Sequence, residues 1–125
     1  MNKVISTTGA PTALGPYSQG IDTGSLVFVA GQIGREAQSG DLADGVEAQT
    51  REACKNIAAI LDAAGLSWAD VVKTTCFLAD IADFEAFNEV YKTFVGDAAP
   101  ARSTFAVKDL PRGARVEVEA IAARS

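Results

Sequence analysis

At 125 residues, 48% hydrophobic and 22% charged, the chain has the make-up of one folded domain, 1–125, and not of a disordered or fibrous segment. Its net charge of −5 opposes a phosphate backbone and speaks against nucleic acid as the main partner. It has no histidine, and its two cysteines, Cys54 and Cys76, lie far apart; serine–histidine and cysteine–histidine nucleophile systems are therefore excluded, the cysteines cannot make a zinc site alone, and catalysis falls to carboxylates, tyrosine, arginine, lysine, hydroxyls, backbone groups and water.

The N-terminus, Met1 to Ser6, lacks the long apolar run and cleavage site of a signal peptide, and no stretch is long and apolar enough to span a bilayer. The expectation is a cytoplasmic protein. Lys3–Ser6 reads as a short strand. Thr7–Gly20 is a loop dense in Gly and Pro, a defined irregular path holding Tyr17. A large aromatic on such a loop serves either as a lid over a pocket or as a packing residue with a tied hydroxyl. Ser25–Ala30, β-branched and aromatic, is the strongest early strand. Gly31 at its end marks a bulge or a close backbone approach to a ligand.

Asp44-Gly45-Val46-Glu47 has capping-box spacing and predicts a helix to about Ala64, with Gly65 ending it. Val46, Thr50, Ala53, Ile57, Ile60, Leu61 and Ala64 recur at helical spacing as one apolar stripe, and Cys54 borders it as a small core residue. Ser67–Asp70 predicts a second, one-turn cap, with Trp68 packing. Val71–Ala79 is a strand by composition. A second helix is predicted over 84–95 on an aromatic stripe of Phe84, Phe87, Tyr91 and Phe94, stopped at Gly96. Asn88 stands one step from that stripe, at a pocket edge or toward solvent. Ser103–Val107 and Arg115–Ala123 are the last strands, joined through Pro111 and Gly113. In the final strand Val116, Val118, Ala120 and Ala122 face one way and Glu117, Glu119 and Ile121 the other.

The order β, β, helix, β, helix, β, β predicts an α+β fold whose two helices cover one sheet face. The other face carries Glu117, Glu119 and Arg102, and a bare face in so apolar a chain calls for covering subunits. Arg102, held behind Pro100-Ala101, can fork onto a carboxylate, and a glutamate can manage a proton or a water. The same residues also fit a solvated ion pair on an exposed sheet.

With these segments in view, the chain resembles the RidA/YjgF (L-PSP, YER057c) family. The resemblance rests on Gly15-Pro16-Tyr17-Ser18-Gln19-Gly20, Ala30-Gly31-Gln32-Ile33, the capped first helix, Val72-Lys73-Thr74-Thr75, Phe84 to Tyr91 with Asn88, Pro100-Ala101-Arg102-Ser103, and Val116-Glu117-Val118-Glu119-Ala120-Ile121-Ala122, nearly the whole chain in register. It implies a chorismate-mutase-like α+β fold in a homotrimer, with a central barrel of sheets, helices outside and three clefts between subunits. The implied activity is hydrolysis of 2-imino acids such as 2-iminobutanoate and 2-iminopropanoate, formed from enamines released by pyridoxal-phosphate dehydratases, to 2-keto acids and ammonia, with no cofactor or metal.

On the same resemblance, Arg102 binds the substrate carboxylate and Glu117 positions or activates the attacking water. Tyr17 closes the site from the adjoining subunit. Gly31, Asn88 and Thr104 line the pocket. Ala30 stands where the family often has serine, and Thr104 where it often has cysteine, which bears on substrate preference. Other readings are RNA cleavage or translation inhibition, a label some relatives carry, and a non-enzymatic small-acid-binding or chaperone-like role.

Overall fold

The computed structural model describes residues 1–125. Six strands form one mixed sheet: β1 (Lys3–Ile5), β2 (Gly20–Asp22), β3 (Leu26–Ile33), β4 (Val71–Leu78), β5 (Ala101–Ala106) and β6 (Val116–Ala123), in the spatial order β1-β2-β3-β6-β4-β5. Only the β4–β5 pair is parallel; α2 (Phe84–Val95) makes the crossover between these strands. With α1 (Val46–Ala63), it covers a single sheet face, as the element pattern predicts. No helix is long and apolar enough to cross a membrane.

One buried cluster holds the two layers together. Val116, Val118, Ala120 and Ala122 of β6 are all buried, and so are Ala53, Cys54, Ile57, Ile60 and Leu61 of α1. The period-2 pattern of the strand thus meets the 3.6-residue pattern of the helix. Phe87 is fully buried and stacks on Tyr91 at 5.2 Å, while Phe84 and Phe94 are partly buried. Trp68 packs against Tyr91 and donates its indole N–H to the Cys54 carbonyl, 3.1 Å away. Ser67 and Asp70 form the expected one-turn capping box.

Four expectations need correction. The sequence reading misses β2, a three-residue strand that pairs β1 with β3. β3 runs on to Ile33, through a register shift between Val29 and Gln32 that makes the bulge expected at Gly31. β5 begins at Ala101, two residues early, because its parallel pairing with β4 starts at Lys73↔Ala101. The capping box at Asp44 does not form. Gly45 is the N-cap, at φ 90°, without a side-chain cap bond, and Asp44 lies outside the helix. Gln49 supplies the first-turn ties instead: its amide donates to the Ala43 carbonyl (3.0 Å) and accepts from the Arg115 N–H (2.7 Å).

That junction leaves no space at Gly34. A Cβ there would lie 2.3 Å from Gln49 Cα and 2.4 Å from its carbonyl oxygen, both main-chain atoms of α1. Gly34→Ala is therefore expected to cost about 2–3 kcal/mol by overpacking and to lower Tm by on the order of 10 °C. Thermal unfolding by circular dichroism checks this; an unchanged Tm would mean that the helix gives way freely.

The sheet face away from the helices has no cover. Phe28 and Phe105 are 41% and 46% exposed on it, and Phe77 meets Phe105 edge-on at 5.4 Å.

Candidate active site

The predicted site residues fall into two groups. Tyr17, Gly31 and Glu117 line one cavity of about 470 Å³, together with Gln19, Ala30, Arg35 and Arg112. The Tyr17 loop keeps its shape through Gln19, a buried side chain that accepts from the Thr7 N–H (2.7 Å) and donates to the carbonyls of Thr7 (3.1 Å) and Pro11 (2.9 Å). Tyr17 itself is half-exposed; its hydroxyl accepts from the Leu14 N–H at 3.4 Å. The ring is therefore a wall of the cavity and not a core residue.

Glu117 projects from β6 over the bulge of β3. A Cβ on Gly31 would sit 2.0 Å from Glu117 Oε2. Glycine at this position is what lets the carboxylate lie against the backbone. Burial raises the Glu117 carboxyl above the ordinary glutamate range, and the charge of Glu119 adds to the rise. No hydrogen bond satisfies this carboxylate within the chain. A raised pKa and a free carboxylate on a cavity wall suit a group that takes and returns a proton.

The second group sits on the helix side of the sheet. Arg102 and Asn88 line a cavity of about 380 Å³ between α2 and the start of β5, with Tyr91 and Pro100. Arg102 Nη1 donates to Asn88 Oδ1 at 2.7 Å. Its guanidinium carbon lies 5.5, 5.9 and 5.0 Å from the ring centroids of Phe84, Phe87 and Tyr91. The aromatic stripe therefore does more than fill the core: it forms a cation–π cradle for the arginine. Tyr91 is anchored in turn by a 2.7 Å hydrogen bond between its hydroxyl and Thr74 Oγ1. Arg102 forms no salt bridge and keeps most of its five donors free. Thr104, two residues along β5, lies on the same face; its Oγ1 is shielded from solvent and has no hydrogen-bond partner.

Arg102 is thus not on the face that carries Glu117 and Glu119, contrary to expectation. Its neighbour across the parallel pair is Thr74, which faces α2, whereas Glu117 lies opposite Phe77, whose β5 neighbour is Phe105. Arg102 is three residues from Phe105, about 10 Å along the strand, and an odd offset puts it on the opposite face. Tyr17 and Glu117 share a cavity within one chain, and Arg102 is the member set apart.

The sequence alone assigns neither Gln19 nor Tyr91 a part in the site. The loop amide was legible only as one polar residue in a Gly/Pro run, and Tyr91 only as an aromatic at core spacing.

The chain is similar to known proteins over nearly its whole length. A sequence profile of the family described as "Endoribonuclease L-PSP" matches residues 7–124. The chain is 49% identical over 123 residues to a Mus musculus protein named 2-iminobutanoate/2-iminopropanoate deaminase, covering 98% of this chain and 91% of that one. It is 45% identical over 127 residues to the protein of the same name from Salmonella typhimurium, covering 99% of each. The fold superposes on the crystal structure of Escherichia coli TdcF with bound serine at a TM-score of 0.94, with 46% identity, covering 98% of this chain and 99% of that one.

Proposed function

We propose that this chain, which belongs to the RidA/YjgF/L-PSP family and stands close to its TdcF and deaminase members, hydrolyses reactive 2-imino acids to 2-keto acids and ammonia, at a site assembled where two copies meet. The observation that carries the reading is the division of one chemical kit between two places. A carboxylate receptor, Arg102 with Asn88, opens on the helix side of edge strand β5. A proton-handling carboxylate, Glu117 with Tyr17 and Gly31, opens on the bare sheet face. Neither half can hold and hydrolyse an imino acid alone. A closed ring of copies, with β5 of one chain docked against the bare face of the next, brings the halves together and covers Phe28 and Phe105. A homotrimer around a barrel of three sheets meets this requirement.

In the assembled cleft the Arg102 guanidinium forks onto the substrate carboxylate. Glu117 accepts a proton from a water as the water oxygen bonds to the imine carbon and the C=N π electrons move to nitrogen. The nitrogen takes up a proton, giving a carbinolamine. The hydroxyl proton then passes by way of Glu117 to the nitrogen, the oxygen lone pair forms the C=O bond as the C–N bond breaks, and ammonia leaves behind the keto acid. The substrate is already electrophilic, so positioning and proton transfer supply the acceleration. The 2-iminobutanoate and 2-iminopropanoate released in the wake of pyridoxal-phosphate dehydratases are the substrates this reading favours.

Added to a threonine dehydratase reaction, the chain is expected to speed release of 2-oxobutanoate; an unaltered rate contradicts the proposal. The family description favours RNA cleavage as a second reading. The net charge of −5 and the lack of histidine weigh against it, and a nuclease assay with Arg102→Ala as control separates the two.

A further inference from the structure

The cavity that holds Glu117 contains two arginines the proposed reaction does not use. We propose that Arg35 and Arg112 form a second anion-binding pole there, which takes the distal carboxylate of a 2-imino dicarboxylic acid. The inference rests on the deaminase reading and names a substrate class for it.

Both guanidiniums converge on one oxygen. Arg35 Nε donates to the Gly40 carbonyl at 3.0 Å, and Arg112 Nη1 donates to the same carbonyl at 3.2 Å. Two nitrogens bonded to one oxygen lie within about 6 Å of each other, so two positive charges are held side by side. Arg35 has one further bond, from Nη1 to the Thr12 carbonyl at 3.3 Å. Most of the ten N–H donors of the pair are left free. Neither arginine has an acidic partner: the ion pairs of the chain use Lys55, Lys92, Arg115 and Arg124. Like charges brought together without neutralisation repel unless an anion joins them.

The backbone is arranged to keep them there. Arg112 adopts φ 60°, ψ 20°, the one left-handed residue in the chain that is not glycine. That conformation costs of order 1 kcal/mol for a side-chain-bearing residue. Gly40, at φ 76°, aims its carbonyl between the two arginines, and a Cβ on it would stand 3.1 Å from Arg35 Nη2. The glycine thus leaves that donor uncovered.

The cavity also has room. In a single chain, before a neighbouring copy closes over it, its volume is about 470 Å³, in the range that takes drug-sized ligands. With the α-carboxylate on Arg102 of a neighbouring copy and the imine carbon at Glu117, a side-chain carboxylate has the arginine pair as its cationic partner within the cavity.

The test compares the imines of glutamate and 2-aminobutyrate, generated by amino-acid oxidases, in the wild type, Arg112→Gly and Arg35→Gln. Arg112→Gly removes the charge and the backbone strain together. The two substitutions lie on different loops, so a folding defect in one leaves the other informative. The ratio of kcat/KM for the diacid imine to that for the monoacid imine is expected to fall roughly tenfold in each variant, as for loss of one charge-assisted hydrogen bond. An unchanged ratio in both overturns the proposal. Calorimetric titration with 2-oxoglutarate and 2-oxobutanoate separates this inference from the reading beneath it. If no imine is turned over but 2-oxoglutarate binding still depends on both arginines, the deaminase reading fails and the anion pole stands. If imines are turned over and the arginines do not alter 2-oxoglutarate affinity, the pole fails and the deaminase reading stands.

Discussion

Arg102→Ala is expected to lower kcat/KM for 2-iminobutanoate by about 10²–10³, the weight of losing a two-pronged, charge-assisted grip on a carboxylate. The loss should appear mainly in KM, because the arginine holds a group that is charged both before and during the reaction. Arg102→Lys should recover little of it. The cradle of Phe84, Phe87 and Tyr91 fits a flat guanidinium, and Asn88 Oδ1 takes one of its N–H groups at 2.7 Å while the others stay free. An ammonium has three donors and no plane. Stability should move little, since the side chain is half-buried and forms no salt bridge. Steady-state kinetics beside a melting curve distinguishes the two effects; a collapse in Tm would make Arg102 a structural residue.

Glu117→Gln should be the mirror case. Loss of the only carboxylate in its cavity is expected to reduce kcat by about 10²–10⁴, the usual contribution of a positioned acid–base group, with KM little changed. The variant should nevertheless melt no lower than the wild type at pH 7. The reason is the raised pKa of Glu117, caused first by burial and then by Glu119. Between the ordinary glutamate value and the raised one, the folded chain holds this proton more tightly than the unfolded chain. Stability from this group is therefore present at low pH and is lost as pH climbs through the folded pKa. Glutamine carries no charge and escapes that loss. The same shift predicts a kcat/KM that falls in acid with an apparent pKa above that of free glutamate. A variant with wild-type kcat, or an acid limb at or below the ordinary value, would remove Glu117 from the chemistry.

Much of the architecture was legible because it depends on local periodicity. The alternation in Val116–Ala123 fixed which residues of the last strand are buried, and the stripes at Val46–Ala64 and Phe84–Phe94 placed both helices. β2 escaped because Gly20-Ile21-Asp22 is too short to show a period; its pairing with β3 makes it a strand. The Asp44 cap failed because Gly45 adopts a positive φ and takes the N-cap position itself. The face of Arg102 was misjudged for a deeper reason. Alternation says which residues share a face within a strand, but which face meets the helices depends on register against β4, and Thr74↔Arg102 cannot be read from either segment alone. The link from Arg112 to Gly40 spans 72 positions, so the arginine pair left no local signal.

In the assembly proposed above, each site takes its arginine from one copy and its glutamate from another. Subunit mixing reads this sharing out. Arg102→Ala and Glu117→Gln, each strongly impaired alone at substrate concentrations well below KM, are unfolded together in equal amounts, refolded and assayed there for imine hydrolysis. Random assembly of shared sites predicts that about a quarter of the clefts regain both groups, so activity should return to roughly that fraction of the wild type. A mixture as inactive as its two components would contradict the account.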